Sequence, residues 1–398
     1  MKLKKILAAL LAISMVAGMT ACGGDAASSA AASSAAAPAE SAAATEAAPA
    51  APEAPASAAE AAASTQEAAP KADSITCDPL TIEFSTIYNE TETGGQIIKH
   101  FEEYLNNLTG GAITMNIFWG GTLFTDPEAL DGVNSGAVNM TALGHMPHLA
   151  TLNYLAFPGF APGGTKAALD YFDTLMFKDP ETSALIQQEA ADNGIIYLNV
   201  LAGGANAFCT TYEFTDLDSM IAGSKSFGNM DAAIFEALRF QVTSVGPGDC
   251  YDALQRGLID STQMGLAPMV SMGWEEVASY WALDGTYTAG NMFTANLEWW
   301  NGLTDAQRQA ISQACDEVEE YSAGIYDDSI ATDCATIEEK TGNKMVQFSD
   351  EDIARVWAAT FDAKAASAMD TAKANGKEEG MTKILEKAAE ITGYTWNH

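Results

Sequence analysis

Leu80-Thr81-Ile82-Glu83-Phe84 alternates apolar and polar residues at a period of two, which predicts a half-buried strand. Ile97, Ile98, Phe101, Tyr104, Leu105 and Leu108 then fall on one face at helical spacing, and Gly110-Gly111 closes that run. Ile113, Met115 and Ile117 alternate with Thr114 and Asn116 and predict a second strand. Asp126-Pro127-Glu128 reads as a helix start, with a capping Asp and Pro at the first position, and Ala137 to Leu143 follows as a third strand. Strand and helix alternating in this order predict a mainly parallel, doubly wound sheet.

The pattern continues beyond it. Asp179-Pro180 opens another helix, Asn193-Gly194 closes it, and Ile195 to Val200 reads as a strand. Phe208 to Thr211, Ser224 to Phe227, Gln241 to Ser244 and Tyr287 to Ala295 predict a second sheet. Thr304 with Gln307, and Ser349 with Asp352, form capping boxes that open long helices. Two α/β lobes with a long C-terminal helical section follow, with ligands expected between the lobes or at strand ends.

The 398 residues carry 19 Lys plus Arg against 53 Asp plus Glu, a net charge of −34. That much negative charge repels phosphate backbones and argues against a nucleic-acid partner. From Ser74 onward there are 46 acidic and 15 basic residues, so −31 of the charge sits on the globular part. Hydrophobic residues make up 48% of the chain, enough for a sizeable core.

The front of the chain reads differently. Lys2, Lys4 and Lys5, an apolar run from Ile6 to Val16 and small residues up to Ala21 predict an export signal over 1–21. Met19-Thr20-Ala21-Cys22-Gly23 is similar to a bacterial lipobox, with Met19 in place of the usual Leu, which makes Cys22 the expected lipidation site. Ala26 to Pro70 holds 25 Ala among 45 residues, with Ser, Pro and Glu and no aromatic residue. Such a segment buries too little apolar surface to offset its ordering entropy, so 22–75 is expected to be a disordered tether. As a coil it would reach on the order of 40 Å, which suits a Gram-positive cell surface.

Candidate chemistry is sparse. Cys77, Cys209, Cys250, Cys315 and Cys334 show no CxxC and no metal-ligand spacing. His145 and His148 follow a predicted strand, where they are expected to line a pocket; Pro147 between them and the lack of a third ligand argue against a metal. No cofactor motif is present, and Gly203-Gly204 alone is a weak anion-binding signal. Trp119, Trp274, Trp281, Trp299 and Trp300 read first as packing residues, and Asp316-Glu317, Glu319-Glu320, Asp327-Asp328 as a solvated helix face.

From about Leu80 to Thr304, with a looser helical fit beyond, the chain resembles the DctP-type substrate-binding proteins of TRAP transporters. Trp119-Gly120-Gly121-Thr122-Leu123, Glu128-Ala129-Leu130 and Gly136-Ala137-Val138-Asn139-Met140 are similar to the family's GGQLG…EML…GALDM. Asp249-Cys250-Tyr251-Asp252-Ala253-Leu254-Gln255-Arg256-Gly257-Leu258-Ile259-Asp260 resembles EVYxALQxGxxDG. Trp274-Glu275-Glu276-Val277 resembles FYEV, and Leu297-Glu298-Trp299-Trp300 with Leu303-Thr304 resembles FWxxLP. The resemblance implies a two-lobed periplasmic-binding-protein-like α/β fold with an interlobe cleft that closes on its ligand, and long C-terminal helices. It places a substrate-binding domain over 76–398: lobe I at about 76–203 plus C-terminal segments, lobe II at about 204–290, bracing helices at about 304–392. The implied partners are a small-molecule ligand, TRAP permease membrane subunits, and the membrane through the lipid anchor; no cofactor is implied.

The departures from the family concern the ligand. In Gly223-Ser224-Lys225-Ser226-Phe227, Phe227 stands where the family's carboxylate-clamping Arg would be, and Asn206 where a second Arg is common. The Asn of the family's DGQEN falls on Met264, the polar residue after the first strand near Ile87-Tyr88, and the aromatic before EVY on Pro247. The expected ligand-binding set is therefore Ile87, Tyr88, His145, His148, Asn206, Phe227, Pro247, Gln263 and Met264. A cleft so built is expected to take a neutral or cationic ligand with an apolar or aromatic body rather than an Arg-clamped carboxylate. The alternatives are a surface enzyme using His145 or His148, or a surface-anchored ligand sensor.

Overall fold

The computed structural model describes residues 74–144 and 148–396, so the export signal, nearly all of the tether, Cys22 and His145 lie outside the described residues. In chain order, the first elements are β1 (Leu80–Ser85), α1 (Thr93–Leu108), β2 (Ile113–Phe118), α2 (Asp126–Asn134), β3 (Met140–Gly144), β4 (Phe160–Pro162), α3 (Thr165–Asp173), α4 (Pro180–Asp192) and β5 (Ile195–Tyr197). Next come β6 (Ala202–Thr210), α5 (Leu217–Gly223), β7 (Phe227–Gly228), α6 (Ala232–Ala237), β8 (Val242–Thr243), α7 (Pro247–Gln255), β9 (Ser261–Gly265) and α8 (Leu266–Ser271). The chain then runs through β10 (Tyr280–Ala289), β11 (Asn291–Asn296) and α9 (Leu297–Gly302) into α10 (Asp305–Thr341), α11 (Asp350–Ala374) and α12 (Glu378–Thr392).

The first sheet has the order β2-β1-β3-β11-β5: β1 is parallel to both β2 and β3, as the alternating pattern predicts, but β11 runs antiparallel to β3 and β5, so the sheet is mixed rather than mainly parallel. The second has the order β4-β10-β6-β9-β7-β8 and is antiparallel across β4, β10, β6 and β9. The predicted strand from Tyr287 to Ala295 is two strands: β10 ends in the second sheet, Gly290 intervenes, and β11 continues in the first. β3 begins three residues later than expected and β5 stops at Tyr197. The N-cap of α2 is Thr125 rather than Asp126, its N–H donating to Glu128 Oε2 at 3.0 Å. Asp179, Thr304 and Ser349 cap their helices as read.

The apolar face of α1 packs Ile97, Ile98, Phe101 and Leu105 onto the first sheet, where Phe101 meets Phe293 edge-on at 4.9 Å. Each such side chain stabilises the lobe by roughly 1.5–3 kcal/mol. α10, 37 residues long, braces both sheets. Its Ile311, Ala314 and Val318 join the core under α1, Ser322 Oγ accepts from the Ala202 N–H at 2.9 Å, and Ile337 joins the second sheet's core. The acidic stripe on this helix is not wholly solvated: Glu319 is part-buried, and burial with the neighbouring Asp173 pushes its carboxyl up to about 8. The five described cysteines are all free.

Candidate functional site

Between the two sheets lies a cavity of about 1090 Å³. The first sheet contributes the loop after β1, the starts of α1 and α2 and the end of β3, a strand-end geometry common in open α/β sheets. The second contributes β6, the turn after β7, the start of α7, and β9 running into α8. Gly203 and Gly290 sit where the chain crosses between the sheets. A Cβ on Gly290 would stand 2.7 Å from the Ala202 carbonyl oxygen and one on Gly203 would meet Thr288 Oγ1, so both positions need glycine for close packing.

Six of the expected residues line this cavity: Ile87, Tyr88, Asn206, Pro247, Gln263 and Met264. Phe227 does not, and its placement corrects the sequence reading. Its ring is fully buried among Phe235 at 4.5 Å, Phe240 at 4.4 Å and Phe208 at 6.1 Å, while its neighbour Gly228 reaches the cavity. His148 is also buried away from the lining. Its Nε2 lies 3.8 Å from Asp126 Oδ1 without a hydrogen bond, and it is Asp126 that faces the cavity.

Sequence reasoning missed the carboxylates. Glu92, Asp126, Asp231 and Asp333 line the cavity, and among the described residues no Lys, Arg or His does. Lys364 reaches Asp231 from outside at 3.1 Å and neutralises it, its Nζ 5.8 Å from the Phe160 ring centroid. Lys225, the cation nearest in sequence, is exposed and outside the lining. Asp333 Oδ2 is sealed from solvent with no hydrogen-bond partner, and burial raises its carboxyl above the usual range. Glu92 and Asp126 follow strand ends, a signal that could have found them; Asp333 lies far along α10, where nothing local marks it.

Several of the remaining polar groups are held by one another. The Tyr88 hydroxyl accepts from the Asn291 side chain and bonds Tyr326 of α10; burial pushes the Tyr88 phenol up. Asp284 of β10, 1% exposed, accepts from Gln263 Nε2 at 2.6 Å, from the Thr286 N–H at 2.7 Å and from Thr286 Oγ1 at 2.8 Å. Asn206 Nδ2 in turn donates to Thr286 Oγ1 at 3.0 Å. Trp274 lines the cavity while 1% exposed, and its Nε1–H has no partner among the described residues, so it is both a packing residue and a free donor. Of the five exposed large hydrophobic residues among those described, Ile87, Met230 and Met272 ring the cleft, an apolar surface that an occupant would cover.

Residues 84–369 match the family model described as bacterial extracellular solute-binding protein, family 7, DctP. The C4-dicarboxylate-binding periplasmic protein DctP of Rhodobacter capsulatus is 25% identical over 267 residues, 62% of this chain and 74% of that protein. A TRAP periplasmic solute-binding protein from Ochrobactrum anthropi, solved with its C-terminus in its ligand-binding pocket, superposes with a TM-score of 0.67 at 21% identity, covering 79% of this chain and 97% of that one. Another from Roseobacter denitrificans, with bound β-D-glucuronate, superposes with a TM-score of 0.59 at 21% identity, covering 79% of this chain and all of that one.

Proposed function

The chain belongs to the bacterial extracellular solute-binding proteins of family 7, the DctP family, and from that premise we propose that it captures a small organic solute between its two sheets and passes it to the membrane subunits of a TRAP-type permease. Solute binding rather than catalysis is what its relatives share. The solute is neutral or cationic with an apolar or aromatic body. The observation that carries this is the cavity lining: four carboxylates, one of them neutralised from outside, and no cationic side chain among the described residues. A bare carboxylate taken from water into such a site costs several kcal/mol without a paired charge. Ile87, Met230 and Met272 offer the apolar body its surface.

Export, a lipid on Cys22 and a tether that lifts the binding domain from the membrane complete the reading; the front of the sequence supports them. A thermal-shift screen over several hundred metabolites tests the function, since a solute that binds only the folded state raises Tm. Neutral or cationic compounds are expected among its ligands at micromolar affinity or better, and succinate, malate and sialic acid are expected to be silent. Tight calorimetric binding of a small dicarboxylate to the unmodified protein would refute the ligand class.

A further inference from the structure

The bulge in β10 carries an inference beyond the absence of a cationic clamp. Leu283 pairs with Ala207 and Tyr287 with Ala205, so residues 284–286 together stand opposite Asn206. Gly285 turns the strand at φ +82, and a Cβ there would collide with Ile353 of α11. Bulges of this kind re-aim side chains, and here Asp284 and Thr286 bond each other and the side chains of Gln263 and Asn206.

The direction of every hydrogen bond in this group is fixed by chemistry. Asp284 takes three donors at once, Gln263 Nε2, the Thr286 N–H and Thr286 Oγ1, the pattern of a carboxylate that only accepts. Gln263 must therefore turn its nitrogen to Asp284 Oδ2. Thr286 must give its single hydroxyl proton to Oδ1, which leaves Oγ1 to accept from the Asn206 nitrogen. Both amides thus face inward with their nitrogens. Among the described residues no group donates to Asn206 Oδ1 or Gln263 Oε1, and neither oxygen is among the side-chain atoms sealed from solvent without a partner.

Resting on the solute-binding reading above, we propose that Asp284 is the positioning residue that sets ligand class: through Gln263 and Thr286–Asn206 it makes the cleft floor a pair of carbonyl acceptors, which takes a hydrogen-bond-donating head, an amine cation or a primary amide, and rejects a carboxylate. An oxyanion placed there meets lone pairs on both sides. The Trp274 N–H is the one buried donor on the lining without a partner among the described residues.

The test uses the full chain and three probes that share one 2-phenylethyl body: 2-phenylethylamine, 3-phenylpropanamide and 3-phenylpropanoate, each followed by thermal shift and calorimetry. The unmodified protein is expected to prefer the amine and the amide to the carboxylate by about tenfold or more. In Asp284→Asn the residue beneath the amides can donate as well as accept, so the preference is expected to shrink to within about threefold. Should that variant fail to fold, Asn206→Ala removes one acceptor, leaves Asp284 in place, and is expected to weaken the amine while sparing the carboxylate. A merely structural role would weaken all three probes alike in Asp284→Asn, and that result overturns the proposal. Equal or tighter binding of 3-phenylpropanoate by the unmodified protein overturns it too, as does silence with the amine and the amide. Binding of the carboxylate would still leave the protein a solute-binding protein; only a metabolite screen without a single ligand removes that reading.

Discussion

Phe227 lies against Phe240, ring centroids 4.4 Å apart and planes inclined at 36°, inside a cluster that also holds Phe208 and Phe235. Where the family resemblance places a carboxylate-clamping Arg, this chain has a core residue. With the side chain turned into the lobe, no cation from this strand reaches the cleft. Phe227→Arg is therefore expected to destabilise the fold by about 3–5 kcal/mol, through a lost aromatic side chain and a buried charge. Phe227→Leu should cost roughly 1–2 kcal/mol and leave ligand affinity unchanged. Urea unfolding with calorimetry on the folded fraction checks both; an arginine variant of full stability with altered affinity would return the residue to the cleft.

Glu189 is 4% exposed and holds two partners, the Lys377 ammonium and the Tyr154 N–H at 2.7 Å. This joins the start of α12 to α4. Lys377→Met leaves a buried carboxylate without its charge and is expected to cost about 3 kcal/mol. Denaturant midpoints of Lys377→Met and of the paired Lys377→Met/Glu189→Gln protein decide it: the second change should recover part of the loss.

Glu319 gives a pH dependence of definite sign. Its folded value, about 8, lies above the ordinary carboxylate value. The folded state therefore binds its proton more tightly than the unfolded chain, and this contribution is fully present below about pH 4.5 and lost as pH rises through 8. Asp284, pushed up to about 6, acts in the same direction between about pH 4 and 6. Glu319→Gln should raise Tm at pH 8, by about 1–2 kcal/mol of stability once screening of a part-buried group is allowed for, and do little at pH 5. A Tm lowered equally at both values would contradict this.

Cys22 is expected to be the mature N-terminus, carrying a diacylglyceryl group. Mass spectrometry of the protein extracted from native membranes should show that mass. An intact bond between residues 21 and 22 in exported protein would end the idea.

Much of the architecture is legible because it is local. The β1–α1–β2–α2–β3 run, Asp179 ahead of Pro180, and the Thr304 and Ser349 boxes each announce themselves within a few residues. β9 does not, since Ser261-Thr262-Gln263-Met264-Gly265 is a cleft-lining strand with polar residues where alternation would ask for apolar ones. β4 is three residues long, too short for a period to show. The break at Gly290 hides inside an apolar run that serves two sheets in turn. Tyr88, Asn206 and Gln263 follow from the family pattern, the last two lying within β6 and β9 rather than at strand ends. Asp333 and Tyr326 do not, because only the bracing of α10 against both lobes carries them to the cavity. Phe227 shows the limit of carrying a position over by pattern: an aromatic side chain has somewhere better to go than water.

The crossing at Gly290 has a mechanical meaning. The Gly290 N–H donates to the Leu201 carbonyl and the Leu201 N–H to the Asn291 carbonyl, both at 2.8 Å, so two of the passages between the sheets are stitched into one two-stranded ribbon. Loops bend independently; a stitched ribbon twists as a unit. Any rotation of one sheet against the other has to twist this ribbon, and the amide protons of Leu201 and Gly290, which close its two hydrogen bonds, are expected to be protected from exchange with solvent.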